Sequence, residues 1–527
     1  MKLIQALDPA YRAEFEEKGY ALPQYDREAV KAKTCEEPTW LHFGAGNIFR
    51  AYQASILEKA LNEGKYDRGV IVAESFDYEL IDSTYRPFDN LTLSVVLKAD
   101  GSIEKNVVGA ITESLKADSS FTEDWARLCE IFRKPSLQMI SFSITEKGYS
   151  FNDADLSRGF GAVFAMGKLT ALLYERFKVG ELPLTLQSMD NCSHNGDKVK
   201  AGVFAYAKKW CEEGLVPPEF YAYVTESGKI TYPWAMIDKI VPRPDAKVQE
   251  ILKADGFEDY NTIETAKHSF TAPFVNGEEV GYLVIEDDYP LGHPPIDLGG
   301  AVFTSRETVD KMERMKVCTC LNPLHTAMST VGCLLGFTLI SEEMKDDDIR
   351  GYITRMTYEE AMPVVTDPGI VSPADFADAV LNKRLPNPFM PDTPQRIVVD
   401  NSQKIPVRFG ETIKNYIKGG LDLDKLNLIS FALASYARYL RGIDDCGNAF
   451  EPSPDPLLEE LMPIVAGLEV REGEQDFSCL KALYSRPEIF GVNLYDTILG
   501  EKVEAIVKKL YAGKGAVRKT LHEMVTA

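Results

Sequence analysis

The sequence predicts an α/β protein in which an N-terminal domain built on a parallel sheet precedes a mainly helical C-terminal domain. Three observations carry that expectation. Over residues 38–74 a short apolar strand, a glycine turn, a helix and a second strand follow one another, the order of a βαβ unit. Two more apolar strands, ending at Ile144 and Ser188, each run into a dense polar cluster. Beyond about residue 300 the apolar positions recur largely at helical spacing. At 527 residues the chain is too long for one ordinary core.

Composition narrows the function classes. Hydrophobic content of 45% and charged content of 26% are those of a soluble globular protein. A net charge of −22 argues against nucleic acid or an anionic membrane as partner, leaving a small molecule and a monomer or small homo-oligomer as the expectation. The opening Met1–Pro9 is too short and too soon polar for a signal peptide, and the apolar run Thr326–Ile340 is too short to span a bilayer. Nine cysteines, an odd number scattered along the chain, suit reduced thiols and a cytoplasmic setting. Cys318 and Cys320 stand two apart, but no second Cys or His pair lies at ligand spacing, so no metal site is expected.

In order, residues 1–37 read as a helical N-terminal extension, 38–295 as a Rossmann-like nucleotide-binding domain and 296–527 as a helical domain. Pro38–Phe43 is a strand, Gly44-Ala-Gly46 a tight turn, and a helix runs to about Glu63 before the strand Gly69–Glu74. This order lets a pyrophosphate sit at the helix N-terminus while an acid ending the second strand holds ribose hydroxyls. Gly44, Gly46, Asn47, Ile48, Arg50 and Glu74 are therefore the candidate cofactor residues, with Asp77 a second candidate acid. The third glycine position holds Phe49, and Glu74 lies 28 residues after Gly46, both departures from the usual pattern. A carboxylate at Glu74 favours NAD over NADP, because it would repel a 2′-phosphate.

Residues 91–115 alternate as antiparallel or edge strands, with Ile103–Ile111 read as one of them. The strand 138–144 ends in Thr145-Glu146-Lys-Gly-Tyr149, and the strand 182–188 ends in Met189-Asp-Asn191-Cys-Ser-His-Asn-Gly196. Ligands collect at such strand ends in open α/β sheets, although Asp, Asn and Gly also simply form turns. Residues 231–242 read as a short apolar helix or turn, 272–287 as a strand pair, and 291–300 as the interdomain linker. The helices expected beyond are 306–316, 323–340, 347–361, 373–383, 407–418, 427–442, 455–466, 480–485 and 494 to the end, interrupted by the proline-rich polar stretch 384–404.

Lys316-Val-Cys-Thr-Cys-Leu-Asn322-Pro-Leu-His325 sets a lysine, an amide and an imidazole within ten residues. Pro323 disfavours helical geometry at Asn322 and suits a helix's first turn, so Asn322 is expected as the N-cap, with Pro323 at N1 and His325 just inside. The plainer alternative makes these three a solvated helix end, an ordinary cap and a core histidine.

Together these segments resemble the polyol-specific long-chain dehydrogenases, the family of mannitol dehydrogenases and hexuronate reductases. The resemblance rests on His42-Phe-Gly-Ala-Gly-Asn-Ile-Phe-Arg-Ala51, Thr145–Tyr149, Ser188–Gly196, Tyr232-Pro-Trp-Ala-Met-Ile-Asp-Lys-Ile240, Leu283-Val-Ile-Glu-Asp287, Lys316 to His325, and Asn387-Pro with Asp392-Thr, Arg396 and Ser402-Gln-Lys404, in the family's order. It implies a metal-independent, NAD-dependent oxidoreductase with Lys316 as general acid/base. Asn191 and Asn322 would be donors to the reacting oxygen, and Thr145 and Glu146 cofactor contacts. His325 would join the catalytic group, with Arg396, Lys404, Asp238 and Asn387 on the substrate. The family's motif is Lys-x4-Asn-x2-His, whereas here one more residue separates Lys316 from Asn322. A lysine near its ordinary pKa of ~10.4 is a poor base, and partial burial beside cations such as Arg396 and Lys404 would lower it. Arg396 suits a carboxylate in a bidentate manner. The implied reaction is thus fructuronate reduction to mannonate, followed by tagaturonate reduction and polyol oxidation; a nucleotide-binding sensor without turnover is the competing class.

Overall fold

The computed structural model describes residues 1–527 and divides into two compact units, Met1–Lys98 with Ser102–Asp310, and Lys311–Ala527 with Ala99–Gly101. The first unit contains, in chain order, β1 (Trp40–Phe43), α1 (Ala54–Asn62), β2 (Val70–Glu74), β3 (Thr92–Leu97), β4 (Ile103–Val108), β5 (Ile111–Lys116), α2 (Thr122–Arg133), β6 (Met139–Phe142), α3 (Ala165–Lys178), β7 (Leu184–Ser188), α4 (Asn195–Glu212), β8 (Ile230–Thr231), β9 (Ala235–Asp238), β10 (Phe274–Glu278), β11 (Tyr282–Glu286) and β12 (Val302–Thr304). Its main sheet runs β5-β2-β1-β6-β7-β8, with every pair parallel. Counted among these six strands the order is 3-2-1-4-5-6, that of dinucleotide-binding sheets, and it reverses between β1 and β6.

Both faces of this sheet are covered, which is why its strands read as unbroken apolar runs. Leu41, Phe43, Ile71, Ile140, Phe142 and Leu186 point to one side, where Leu128 of α2, Leu169 of α3 and Val199 of α4 pack on them. Trp40, Val70, Val72 and Met139 point to the other, against Leu57 and Leu61 of α1. Arg176, fully buried near the end of α3, donates to the carbonyls of Phe132, Lys134, Leu137, Leu182 and Pro183 at 2.6–3.2 Å. It thereby ties a helix end to the segments that lead into β6 and β7.

Several sequence expectations change here. The 103–111 run breaks at Gly109, so that β4 pairs antiparallel with β3 in a second sheet while β5 joins the main one. The 272–287 region is not a strand pair: β10 lies parallel to β3, and β11 lies antiparallel to β9. Residues 235–238, read as helix or turn, form β9, because pairing with β11 overrides a short segment's local preference. Residues 1–37 are helical at Pro9–Glu17 and Arg27–Glu36 but pack into the first unit, with Arg27 donating to the Gly109 and Ile111 carbonyls. The cluster 291–300 is no free linker: Ile296 is buried and Gly299 packs on Ile56 so closely that a Cβ would lie 2.2 Å from its carbonyl oxygen. The division between units falls after Asp310.

Helix α5 (Arg306–Met315) carries the chain across that division. The second unit then contains α6 (Asn322–Leu335), α7 (Asp347–Arg355), α8 (Glu411–Gly419), α9 (Asn427–Leu440), α10 (Leu499–Leu510) and α11 (Ala516–Thr526). Helix α9 packs against both α6 and α10, and every residue from Leu428 to Leu440 is buried, as expected of a helix that is apolar all round. Helix α6 ends at Gly336 (φ +81°), short of Ile340, because a left-handed glycine closes it. Four π-helical turns, Lys316–Cys320, Met356–Ala361, Val380–Arg384 and Pro406–Gly410, interrupt the helices of this unit.

Replacing Arg176 by Met would remove its donors from five carbonyls, of which Leu182 keeps the Tyr223 hydroxyl and Lys134 the Leu137 N–H. The expected loss of unfolding free energy is about 3 kcal/mol or more, measured by denaturant titration.

Candidate active site

In the first unit the candidate residues gather where the sheet order reverses. Gly44 has φ +114°, and a Cβ there would lie 2.3 Å from the Ser143 carbonyl oxygen, so the turn after β1 presses on the end of β6. Gly46 differs: nothing lies within 4 Å of a Cβ placed there. The space over Gly46 is left open rather than packed, as close backbone approach by a ligand requires. Glu74, buried at the end of β2, accepts from the Ala45 N–H at 2.8 Å and from those of Phe76 and Asp77 at 2.8 and 3.2 Å. Burial pushes its pKa up against these three bonds. A carboxylate has about four acceptor positions, so at most one remains for a ribose hydroxyl. Glu74 braces the glycine turn first.

Asn47 and Arg50 face inward. The Arg50 guanidinium, fully buried, donates to Asn47 Oδ1, Thr271 Oγ1 and the Ala272 carbonyl at 2.7–2.8 Å, and Asn47 Nδ2 reaches the Phe270 carbonyl at 3.0 Å. Both fix the segment 270–272 to the turn instead of presenting their polar groups to a ligand; Ile48 is half-buried. Asp77, buried, accepts from the Thr265 hydroxyl at 2.6 Å. Beyond the ends of β2 and β5 lies a cavity of about 440 Å³ lined by Phe76, Asp77, Glu79, Asp118, Lys168 and Lys267 among others. Its wall carries three carboxylates against two amines, and the Lys168 amine is held by Asp118 at 2.8 Å.

The loop after β6 is tied to the end of β7 by Asp190, which sequence reading passed over for its neighbour. Its carboxylate accepts from the Ile144 and Thr145 N–H groups at 2.9 and 3.0 Å and from the Tyr149 hydroxyl at 2.5 Å. These bonds hold Thr145 at φ +62°. Glu146 is exposed and pairs with Lys198 at 2.7 Å, which lowers its pKa. Asn191 lies exposed in the turn after β7. Asn195 then bridges Asp190 and Ala235, placing the N-terminus of α4 beside β9, which ends in the buried Asp238. His42, fully buried in β1, lies 2.6 Å from Ser141 Oγ and 2.7 Å from Ser143 Oγ and stacks on Phe49 at 4.1 Å. Burial depresses its pKa to about 3.

In the second unit Lys316 is buried and opens a π-turn closed by the Leu321 N–H on the Lys316 carbonyl at 3.1 Å. A π-turn accommodates one residue more than an α-turn, so the longer Lys-to-Asn spacing is taken up inside the helical path, not in a loop. The expected cap is displaced by one residue. Leu321 occupies the N-cap position, the helix begins at Asn322 with Pro323 second, and no side chain caps it. The π-turn runs directly into α6 and sets this register. The Asn322 carboxamide, half-buried, is therefore not consumed by capping. His325, one turn on, is half-buried, and its pKa is pushed down to about 3 by burial and then by Arg408, Arg384 and Arg396. It is a neutral imidazole near pH 7.

Of the remaining substrate candidates, Arg396 pairs with Asp392, four residues earlier. Lys404 donates to the Ile397 carbonyl at 3.0 Å, and its pKa is lowered by burial and by Arg408. Asn387 is fully buried, with its Oδ1 accepting from the Phe389 N–H at 3.0 Å. Arg384 and Arg408 were not singled out from sequence. The only available signal was that each ends or lies within a cationic, proline-flanked segment.

Profiles of the mannitol dehydrogenase Rossmann domain and the mannitol dehydrogenase C-terminal domain match residues 38–276 and 308–511. The chain belongs to the mannitol dehydrogenase family. Similar proteins include the D-mannonate oxidoreductase of Thermotoga maritima, 47% identical over 98% of this chain and 97% of that protein. A mannitol 2-dehydrogenase of Phaeosphaeria nodorum is 28% identical over 90% of this chain and 78% of its own. Among solved structures, a D-sorbitol dehydrogenase in substrate-free form aligns with a TM-score of 0.78 at 24% identity, covering 95% of this chain and 97% of that one. The mannitol 2-dehydrogenase of Pseudomonas fluorescens, solved with NAD and D-mannitol, aligns with a TM-score of 0.67 at 22% identity over the full length of both. These likenesses bear out the expected architecture of a Rossmann domain followed by a helical one.

Two outcomes follow for this family member. Gly44→Ala meets both a left-handed backbone and the Ser143 carbonyl, so it should destabilise the fold by about 2 kcal/mol or more. Gly46→Ala meets neither and should leave unfolding within about 0.5 kcal/mol while weakening NADH binding about tenfold; melting curves beside NADH fluorescence titrations separate the two. For His42, the unfolded imidazole titrates at its ordinary 6.5 and the folded one near 3. Its contribution is full above pH 6.5 and is lost on acidification, by about 2–3 kcal/mol at pH 4.5. Denaturant unfolding at pH 7 and 4.5 should show a smaller difference in His42→Gln than in the native protein.

Proposed function

We propose that the protein is an NAD-dependent oxidoreductase that interconverts D-fructuronate and D-mannonate. The observation that carries this reading is the near full-length, 47% identity with a D-mannonate oxidoreductase. The residues present fit NAD. A glycine turn stands at the switch point with open space over Gly46, and Glu74 holds the turn in shape. The cavity wall has an excess carboxylate that would oppose a 2′-phosphate. When bound, NAD supplies the hydride acceptor or donor.

The chain's own residues supply the rest. Lys316 is the general acid/base. In reduction its ammonium gives a proton to the carbonyl oxygen as the carbon is reduced, and in oxidation its amine takes that proton back. Asn191 and Asn322 are carboxamide donors to the developing alkoxide, and Asn322 is suited to this because α6 leaves its side chain uncapped. Neutral His325 orients a substrate hydroxyl without adding positive charge. Asp238, Asn387, Arg396 and Lys404 are placed on the substrate side by the same reading. Burial of Lys316, rather than solvation, is what favours this over the plainer reading of its motif.

With D-fructuronate the purified protein should consume NADH, faster than with D-tagaturonate or D-fructose. Lys316→Ala should lower kcat by about 10³-fold or more while NADH binding stays within about threefold, and Asn322→Ala should lower kcat by about 10²–10³-fold. Retention of the native rate by Lys316→Ala would remove Lys316 as the base. NADH binding with no turnover on any of these sugars would favour a sensor.

A further inference from the structure

The second unit contains a cationic cluster whose charges are not equally served. Arg384, Arg396 and Arg408 all act on His325, and Arg396 and Arg408 also act on Lys404. Asp392 lies beside Arg396, and Asp400 and Asp455 beside Lys404. Asp392 is taken up by Arg396, whose side chain is 64% exposed, and Asp455 by the backbone N–H and hydroxyl of Ser402.

Arg408 stands apart. It sits in the π-turn Pro406–Gly410, which packs against both the Lys316 π-turn and α6. One Nη donates to Thr326 Oγ1, the residue next to His325. No carboxylate lies within ion-pair distance, and burial alone pulls its pKa down to about 10. Arg176 and Arg27, by contrast, are well supplied with acceptors, Arg176 by five carbonyls and Arg27 by Asp89 and two carbonyls. A guanidinium has five N–H groups, and the Thr326 hydroxyl uses one. A cation desolvated to this degree with open donors is complementary to an anion, and its planar fork fits a carboxylate in particular.

We propose that Arg408, not Arg396, receives the substrate carboxylate, and that it sets selectivity for a sugar acid over a neutral ketose. The inference rests on the hexuronate reading above and adds the residue that would enforce it. Thr326 orients the guanidinium, and its place in the chain puts the anion site beside His325. Arg396, already paired and largely in solvent, is left to contact hydroxyls.

The test compares D-fructuronate with D-fructose, which carries CH2OH where the hexuronate carries its carboxylate, in native protein, Arg408→Gln, Arg408→Lys and Arg408→Ala. For Arg408→Gln the ratio of kcat/KM values, hexuronate over ketose, should fall about 100-fold, mostly through KM, with the melting temperature little changed. Arg408→Lys should recover part of the loss, and added guanidinium ion should rescue hexuronate reduction by Arg408→Ala. Equal losses on both sugars, or no loss, with the native protein active on hexuronate, would overturn the Arg408 assignment alone. A native protein inactive on hexuronate would overturn the functional reading and this inference with it. A 100-fold selectivity loss in Arg396→Gln but not in Arg408→Gln would return the carboxylate to Arg396.

Discussion

The nucleotide-binding half depends on one close approach. At the point where the sheet order reverses, the backbone after β1 comes within touching distance of the Ser143 carbonyl, and only a residue without a side chain permits it. Other features of the turn follow from that contact. Glu74 pins Ala45 from one side, and Arg50, with Asn47, pins the segment 270–272 from the other. Asp190 fixes the neighbouring loop through three donors. The result is a turn braced on both sides, with open space over Gly46.

The helical half solves a different problem, which is how to keep several cations out of bulk water near one another. Lys316, Arg384 and Arg408 are each mounted on a π-turn. Such turns widen the helix locally and re-aim the side chains they carry, a geometry that regular α-turns do not offer. Mutual repulsion among the cations is tempered by a few aspartates and by a histidine held neutral.

Much of this was legible in the sequence where local chemistry decides structure. The βαβ order at 38–74, the polar ends of β6 and β7, and the helical run beyond 300 are all statements about periodicity and turn residues, and they survive folding. Pairing was not legible. Whether β10 meets β11 or β3, and whether 235–238 is a strand, depends on partners distant in the chain. Side-chain direction was equally hidden: the sequence shows an acid after β2 but not that its oxygens are already taken by backbone. Asn322 illustrates the finer limit. Pro323 correctly marks a helix start, yet the π-turn before it shifts the register by one and converts an expected cap into an uncommitted amide. Arg408 could not be found from sequence because what distinguishes it is that no carboxylate pairs with it.

The π-turn at Lys316 also bears on how relatives with different spacing can share one framework. Each such turn stores a single surplus residue in an otherwise continuous spiral, so loss of one codon there would let the spiral close to its regular pitch. Downstream residues would keep their place in the packed helix, whereas the lysine would swing by about 100° around the axis unless compensated upstream. Insertions and deletions at this point are therefore a route by which a lineage can re-aim this lysine without rebuilding the scaffold beneath it.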